Sequence, residues 1–119
     1  FSTAEDLQVL INLLLDKGRY KGEKIISGAV IDTFLTQNKF ENALGWAMQK
    51  ETIAAEGTPD GTFGHTGFTG TNVVVIPEYD LSIIFLTNRQ HVGPGEDGFY
   101  FNLNPLRQEI VNVVLGSEY

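Results

Sequence analysis

Phe63-Gly64-His65-Thr66-Gly67-Phe68-Thr69-Gly70-Thr71, running on into Asn72-Val73-Val74-Val75-Ile76, is the stretch that decides how this chain folds. Glycine occupies positions 61, 64, 67 and 70. Glycines at that spacing mean a close approach to the backbone or backbone angles that other residues avoid. One imidazole and the hydroxyls of Thr66, Thr69 and Thr71 are interleaved with them. Residues 72–76 carry the strongest strand signal in the chain. A polar, glycine-lined strand beside a buried apolar one presents a sheet edge to a ligand.

Working outward, 73–76 and 81–87 are apolar runs around Pro77-Glu78-Tyr79-Asp80, which predicts a hairpin. Both runs are apolar at successive positions, so both faces are expected to be covered, with helices above and below the sheet. Toward the N-terminus, Ser2-Thr3-Ala4-Glu5 reads as a capping box with Ser2 as N-cap. Leu7, Leu10, Ile11 and Leu14 form a helical stripe, which Val9, Leu13 and Leu15 widen, and Gly18 is expected at C′. Residues 19–23 read as a polar connection. Ser27 caps a second helix with Val30, Ile31, Phe34 and Leu35 inward. Gly45 and Trp46 within an apolar run favour a short strand, and 51–62 reads as loop. Beyond the hairpin, 91–101 is glycine-rich loop. Asn104 as N-cap and Pro105 at the first helical position open a last helix with Leu106, Ile110, Val113 and Val114 inward.

The spans are helices over about 3–17, 28–36 and 105–115 and strands over about 43–48, 62–67, 72–76 and 81–88. The fold class is α/β in the α+β sense, an antiparallel sheet with helices on both faces. Three helices over about four strands is thin cover, and some apolar surface is expected to lack its partner.

The 119 residues suit one domain or part of one. An apolar fraction of 42% suits a packed core. The formal charge of −7 and scattered basic residues argue against nucleic acid as a partner. Without cysteine there are no disulfides or thiolate metal sites. The apolar stretch 9–15 is interrupted by Asn12 and too short to cross a bilayer. No signal peptide is legible, and the compartment stays open. Phe1 at the first position suggests a piece of something longer.

Four chemistries can be tried on the glycine-rich run and its surroundings. A phosphate cradle feeds a helix N-terminus and is followed by Lys; this run feeds a strand and has none. His65 and His91 are not at helical ligand spacing and no third ligand is nominated, so no metal is assigned. Residues 93–98 offer Glu96 and Asp97 but not the spacing of a calcium loop. For nucleophilic catalysis, Ser2, Ser27, Ser82 and Ser117 lie in neither Gly-x-Ser-x-Gly nor Ser-x-x-Lys.

The run from Phe63 to Thr71 resembles the third active-site motif of the serine β-lactamase and penicillin-binding-protein superfamily. It is closest to the class C-like, β-lactamase-related branch, in which His-Thr-Gly stands for Lys-Thr-Gly. Four further segments resemble the family in order: Phe1-Ser2-Thr3-Ala4-Glu5-Asp6-Leu7, Leu44-Gly45-Trp46, Ile76-Pro77-Glu78-Tyr79-Asp80-Leu81 and Phe85-Leu86-Thr87-Asn88-Arg89. The family's Ser-x-x-Lys and Tyr-x-Asn motifs are not in this sequence. The resemblance therefore implies the C-terminal portion of a β-lactamase/transpeptidase-like domain.

Under that resemblance, His65 lines a cleft and donates to a substrate carboxylate or general base, and Thr66 offers a hydroxyl. Gly67 keeps the strand edge bare. The backbone amide of Phe68 is one of two oxyanion donors. Thr69 and Gly70 contact substrate. The implied parent is an acyl-serine hydrolase, an esterase or D-amino-acid peptidase, with no cofactor. Its substrate is a small ester, amide or peptide, and the missing N-terminal part of the domain is this chain's partner. The chain alone is expected to be inactive. The alternative is a β-lactamase-like scaffold that binds without catalysis. Family members are often exported, which makes a periplasmic parent an expectation of the resemblance.

Overall fold

A computed structural model describes residues 2–116. Phe1 of the helix-start segment, Ser117 and Tyr119 lie outside the described residues. Helix α1 (Ala4–Leu15) begins after Thr3, whose hydroxyl accepts from the Asp6 amide at 3.1 Å. The N-cap assigned to Ser2 is thus corrected to Thr3, whose extended backbone brings its side chain within reach of that amide. The helix closes with a Schellman pair, Gly18 N–H to Leu13 O at 2.8 Å and Lys17 N–H to Leu14 O at 3.2 Å. Lys17 (φ 50) holds the left-handed C′ position, and Gly18 is C″ rather than C′. Gly18 is required for another reason as well. A Cβ there would lie 2.2 Å from the carbonyl oxygen of Ile26.

Residues 19–23 are not a plain connection. They begin a small hairpin of β1 (Arg19–Tyr20) and β2 (Glu23–Lys24), turned by Lys21 (φ 50) and Gly22 (φ 83). Two consecutive positive φ angles suit the right-handed strand twist. Ser27 caps helix α2 (Gly28–Phe34) by accepting from Val30 N–H.

The strand expected over 43–48 is corrected to a turn with two isolated bridges at Ala47, to Asn42 and to Gly64. Ala43 N–H bonds Trp46 O at 2.8 Å around Gly45 (φ 76). Only Ala47 reaches the sheet, exchanging bonds of 2.8 and 2.9 Å with Gly64. The local turn satisfies the backbone groups that a strand would have offered to a neighbour. Within the expected loop 51–62, a single helical turn, α3 (Lys50–Ile53), begins one residue upstream and buries Ile53 completely.

The sheet has the order β3 (Phe63–Thr66), β4 (Asn72–Ile76), β5 (Leu81–Phe85), antiparallel throughout. A 3₁₀ turn over Pro77–Tyr79 and left-handed Asp80 (φ 47) join β4 to β5. Alternation along the strands divides the core in two. Phe63 and Val75 pack with Ile11 and Leu14 of α1 and Ile31 of α2. Val74 and Ile76 pack with Ile53 and with Val111 of the last helix, α4 (Asn104–Gly116). Helices thus cover both faces of an antiparallel sheet, the expected fold class.

The last helix differs in detail from its sequence reading. Asn104 lies inside it, and Arg107 N–H bonds Leu103 O at 3.0 Å. The inward stripe is Leu103, Arg107 and Val111, whereas Leu106 and Val113 are exposed. Val9 and Leu10 of α1 and Val30 and Phe34 of α2 are likewise exposed. The Cα radius of gyration is 15.3 Å, against about 13.5 Å expected for a compact chain of this length. The thin cover read from the sequence thus appears as uncovered apolar helix faces. Among the described residues, no helix is long and apolar enough to cross a membrane.

One ion pair offers a test of local placement. Lys50 Nζ lies 2.9 Å from Asp60 Oδ1, and its hydrogen bond and charge hold the Asp60 carboxyl below the usual carboxylate range. A carboxyl lowered on folding contributes stability above its unfolded pKa of about 3.9. That contribution disappears as pH falls through the folded value. Lys50→Met is expected to raise the Asp60 midpoint in a carboxyl NMR titration. An unmoved midpoint would exclude Lys50 as the cause.

Candidate active site

The four glycines of the opening stretch fall into two pairs. Gly61 (φ 81) and Gly70 (φ 105) adopt left-handed angles. Gly64 and Gly67 are needed for close approach. A Cβ on Gly64 would stand 2.1 Å from Val73 O, and one on Gly67 2.2 Å from Thr71 Oγ1. Residues 67–71 form the turn between β3 and β4, closed by Gly70 N–H to Gly67 O at 2.9 Å and Gly67 N–H to Thr71 O at 2.8 Å.

His65 is exposed and pairs with Val73 across the strands, on the sheet face that carries α1. A cleft of about 320 Å³ opens there, lined by His65, Thr66, Gly67, Val73, Leu86 and, from the start of α1, Leu7. The resemblance places His65, Thr66 and Gly67 on one wall, and the structure brings these three together. His65 Nδ1 lies 2.8 Å from the Thr66 carbonyl oxygen. A carbonyl only accepts, so this contact puts a proton on Nδ1. The neutral ring then offers Nε2 as an acceptor, and only the imidazolium donates from that atom. The expected donation to a carboxylate therefore belongs to the charged form.

Phe68 follows Gly67 at the turn. Among the described residues nothing accepts from its amide N–H. Its carbonyl accepts from Arg89 Nε at 2.7 Å. Thr69 O accepts from Arg89 N–H at 2.8 Å. Gly70 O accepts from Arg107 Nη2 at 2.8 Å, and Thr71 O accepts weakly from the same atom at 3.4 Å. The carbonyls of the turn are thus engaged from behind, while the Phe68 amide stays available. Phe68, which follows the cleft-lining Gly67, does not itself line the cleft, and neither do Thr69 and Gly70. Gly70 is buried against Leu103 and Thr87, where a Cβ would come within 2.3 and 2.4 Å of their side chains.

Arg107 is 7% exposed, and its Nε has no partner among the described residues. Burial lowers its pKa, and the nearby Arg89 charge adds to the effect. Sequence reasoning met Arg89 as the end of the family-like segment 85–89 and did not single out Arg107. A usable signal for Arg107 was its place four residues from Leu103 and from Val111, on the face that turns inward. A larger depression of about 710 Å³ lies where α3 meets α4, lined by Glu41, Glu51, Glu56, Asp60 and Lys50 among others. The candidate site is placed in the smaller cleft because His65, Thr66 and Gly67 line it.

Comparison with known proteins bears on the family of the chain. The Beta-lactamase family profile matches residues 1–104. The chain is 32% identical over 97 residues to an N-acetylmuramyl-L-alanine amidase of Bacillus subtilis (strain 168). It is 32% identical over 98 residues to a putative D-alanyl-D-alanine carboxypeptidase of Escherichia coli (strain K12). A putative D-alanyl-D-alanine carboxypeptidase of Salmonella typhi is 33% identical over 99 residues. Each alignment covers 76% of this chain and 22% of the relative, so the chain spans about a fifth of these relatives' length. With the profile matched over most of its length and an antiparallel sheet covered by helices on both faces, this chain belongs to the Beta-lactamase family.

Proposed function

We propose that this chain supplies one wall of the active site of an acyl-serine hydrolase that acts on an ester, an amide or a D-amino-acid peptide. Hydrolase relatives named as an amidase and as carboxypeptidases support the reaction class. The observation that carries the reading is the pairing of a cleft-lining His65-Thr66-Gly67 edge with the unengaged amide of Phe68. That amide is the oxyanion donor, and its partner donor belongs to the nucleophilic serine. Its worth is independent of side-chain type, because the donor is the backbone. His65 and Thr66 contact the substrate or general base. Gly67 leaves room for the acyl group. Thr69 and Gly70 serve the substrate by building the turn that holds the amide.

The nucleophile and its base come from elsewhere, since Ser2, Ser27 and Ser82 lie in no Ser-x-x-Lys. Without them an oxyanion donor cannot form a covalent intermediate. The exposed apolar faces of α1, α2 and α4 are where the rest of the domain packs. This chain, purified alone, is expected to hydrolyse nitrocefin and p-nitrophenyl acetate no faster than its His65→Ala variant. Turnover above that variant would overturn the division of labour. A whole protein that binds such ligands without turnover would favour a scaffold.

A further inference from the structure

We propose that Arg89 is a positioning residue that holds Phe68 so that its amide faces a developing negative charge. The inference rests on the reading of that amide as an oxyanion donor, and it extends the active site to the loop that follows β5.

Arg89 grips the turn three ways. Its own N–H bonds Thr69 O at 2.8 Å. Its Nε bonds Phe68 O at 2.7 Å. Its guanidinium carbon lies 5.1 Å from the centre of the Phe68 ring. The same guanidinium reaches the loop beyond, through Nη1 to Phe101 O at 3.0 Å and over the Tyr100 ring at 5.6 Å. The two rings meet edge to face at 5.4 Å. Phe68 is thereby held by its carbonyl, its side chain and its neighbour's carbonyl, while its N–H stays unengaged. The peptide that carries the Phe68 N–H is tied at its carbonyl by Gly70 N–H, and Arg89 fixes the peptide that follows, so that Phe68, 62% exposed, is held on both sides of its Cα. The planar guanidinium, with several fixed donors and a face that stacks on rings, can make all these contacts at once.

Charge adds to geometry. Among the described residues no carboxylate pairs with Arg89, in a chain whose formal charge is −7. Its positive charge is bound to the carbonyl of the same residue whose amide is free. An anion at that amide is therefore favoured by the guanidinium as well as by the hydrogen bond.

The test uses the full-length hydrolase that contains this chain, with Arg89→Ala and Arg89→Lys. Turnover of a p-nitrophenyl ester, affinity for phenylboronic acid as a tetrahedral mimic, and Tm are measured. Misplacement of a catalytic group predicts a fall in kcat of roughly ten- to a hundredfold for Arg89→Ala. KM should stay near wild type, and boronate affinity should fall with kcat. Arg89→Lys is expected to recover part of the loss, because it keeps the charge and loses the fork. A kcat indifferent to Arg89→Ala, or a loss carried by KM alone, overturns the role of Arg89. A wild-type protein that turns over no ester or amide overturns the underlying reading instead. Independently of activity, the Phe68 amide resonance of the full-length protein, labelled selectively at phenylalanine, should shift and broaden in Arg89→Ala. An unshifted, sharp resonance overturns the positioning role.

Discussion

Gly64→Ala is expected to cost about 3–5 kcal/mol of stability, the far tail for a single substitution. The added methyl would sit 2.1 Å from Val73 O and 3.3 Å from Val74 Cα. Both are backbone atoms of the paired strand, so no side-chain rotation relieves the collision. β4 cannot retreat either, because Val74 and Val75 are fully buried, one on each face of the sheet. β3 must move instead, and then the paired bonds between Gly64 and Ala47 also open. A cost of this size approaches the whole stability of a small domain, about 5–15 kcal/mol. Urea unfolding followed by Trp46 fluorescence measures it. Trp46 is the single tryptophan and lies 5.2 Å edge to face from Phe63, beside the substitution. Gly57→Ala is the control, since a Cβ there meets nothing within 4 Å. Equal midpoints for the two variants would refute the close-approach account of Gly64.

If the Phe68 amide serves the proposed hydrolase as an oxyanion donor, Phe68→Pro is expected to lower kcat of the full-length protein by roughly a hundred- to a thousandfold, the loss typical of one such donor. Proline removes the N–H itself, while residue 68 keeps the carbonyl that Arg89 engages. Phe68→Ala keeps the N–H and loses only the ring that rests against Arg89 and Tyr100, so it should lose far less. KM should respond less than kcat to Phe68→Pro, because the donor acts chiefly on the charge that develops in the transition state. If the two variants lose activity equally, the side chain rather than the amide carries the effect.

The places where sequence reading and structure part share one physical theme. Residues 43–48 look like a strand because alanine, leucine, tryptophan and methionine cluster there. The left-handed Gly45 turns the chain back on itself, and only Ala47 bridges to β3. Gly18 and Asn104 each sit one step from their assigned cap position. A short polar side chain or a glycine signals a helix end, but several neighbours can serve. The stripe of α4 was assigned to Leu106, Ile110, Val113 and Val114 because those are its apolar residues. The face turned inward instead carries Arg107, which is buried because it bonds the Gly70 carbonyl. Hydropathy weighs what a residue costs to bury and omits the partner that offsets the cost.

Local pattern was enough for what depends on neighbours in the chain. Apolar runs at 73–76 and 81–87 required a sheet covered on both faces, and the glycines at 61, 64, 67 and 70 marked a backbone that is crowded or bent. The ordered segments around His65-Thr66-Gly67 led to the family. The three-dimensional arrangement decided which glycines are bent and which are crowded, and which nitrogen of His65 faces a carbonyl. It also brought Arg89 and Arg107 behind the turn, from about 20 and 37 residues further along the chain. Such contacts depend on where separate elements meet, and periodicity within any one of them carries no record of that.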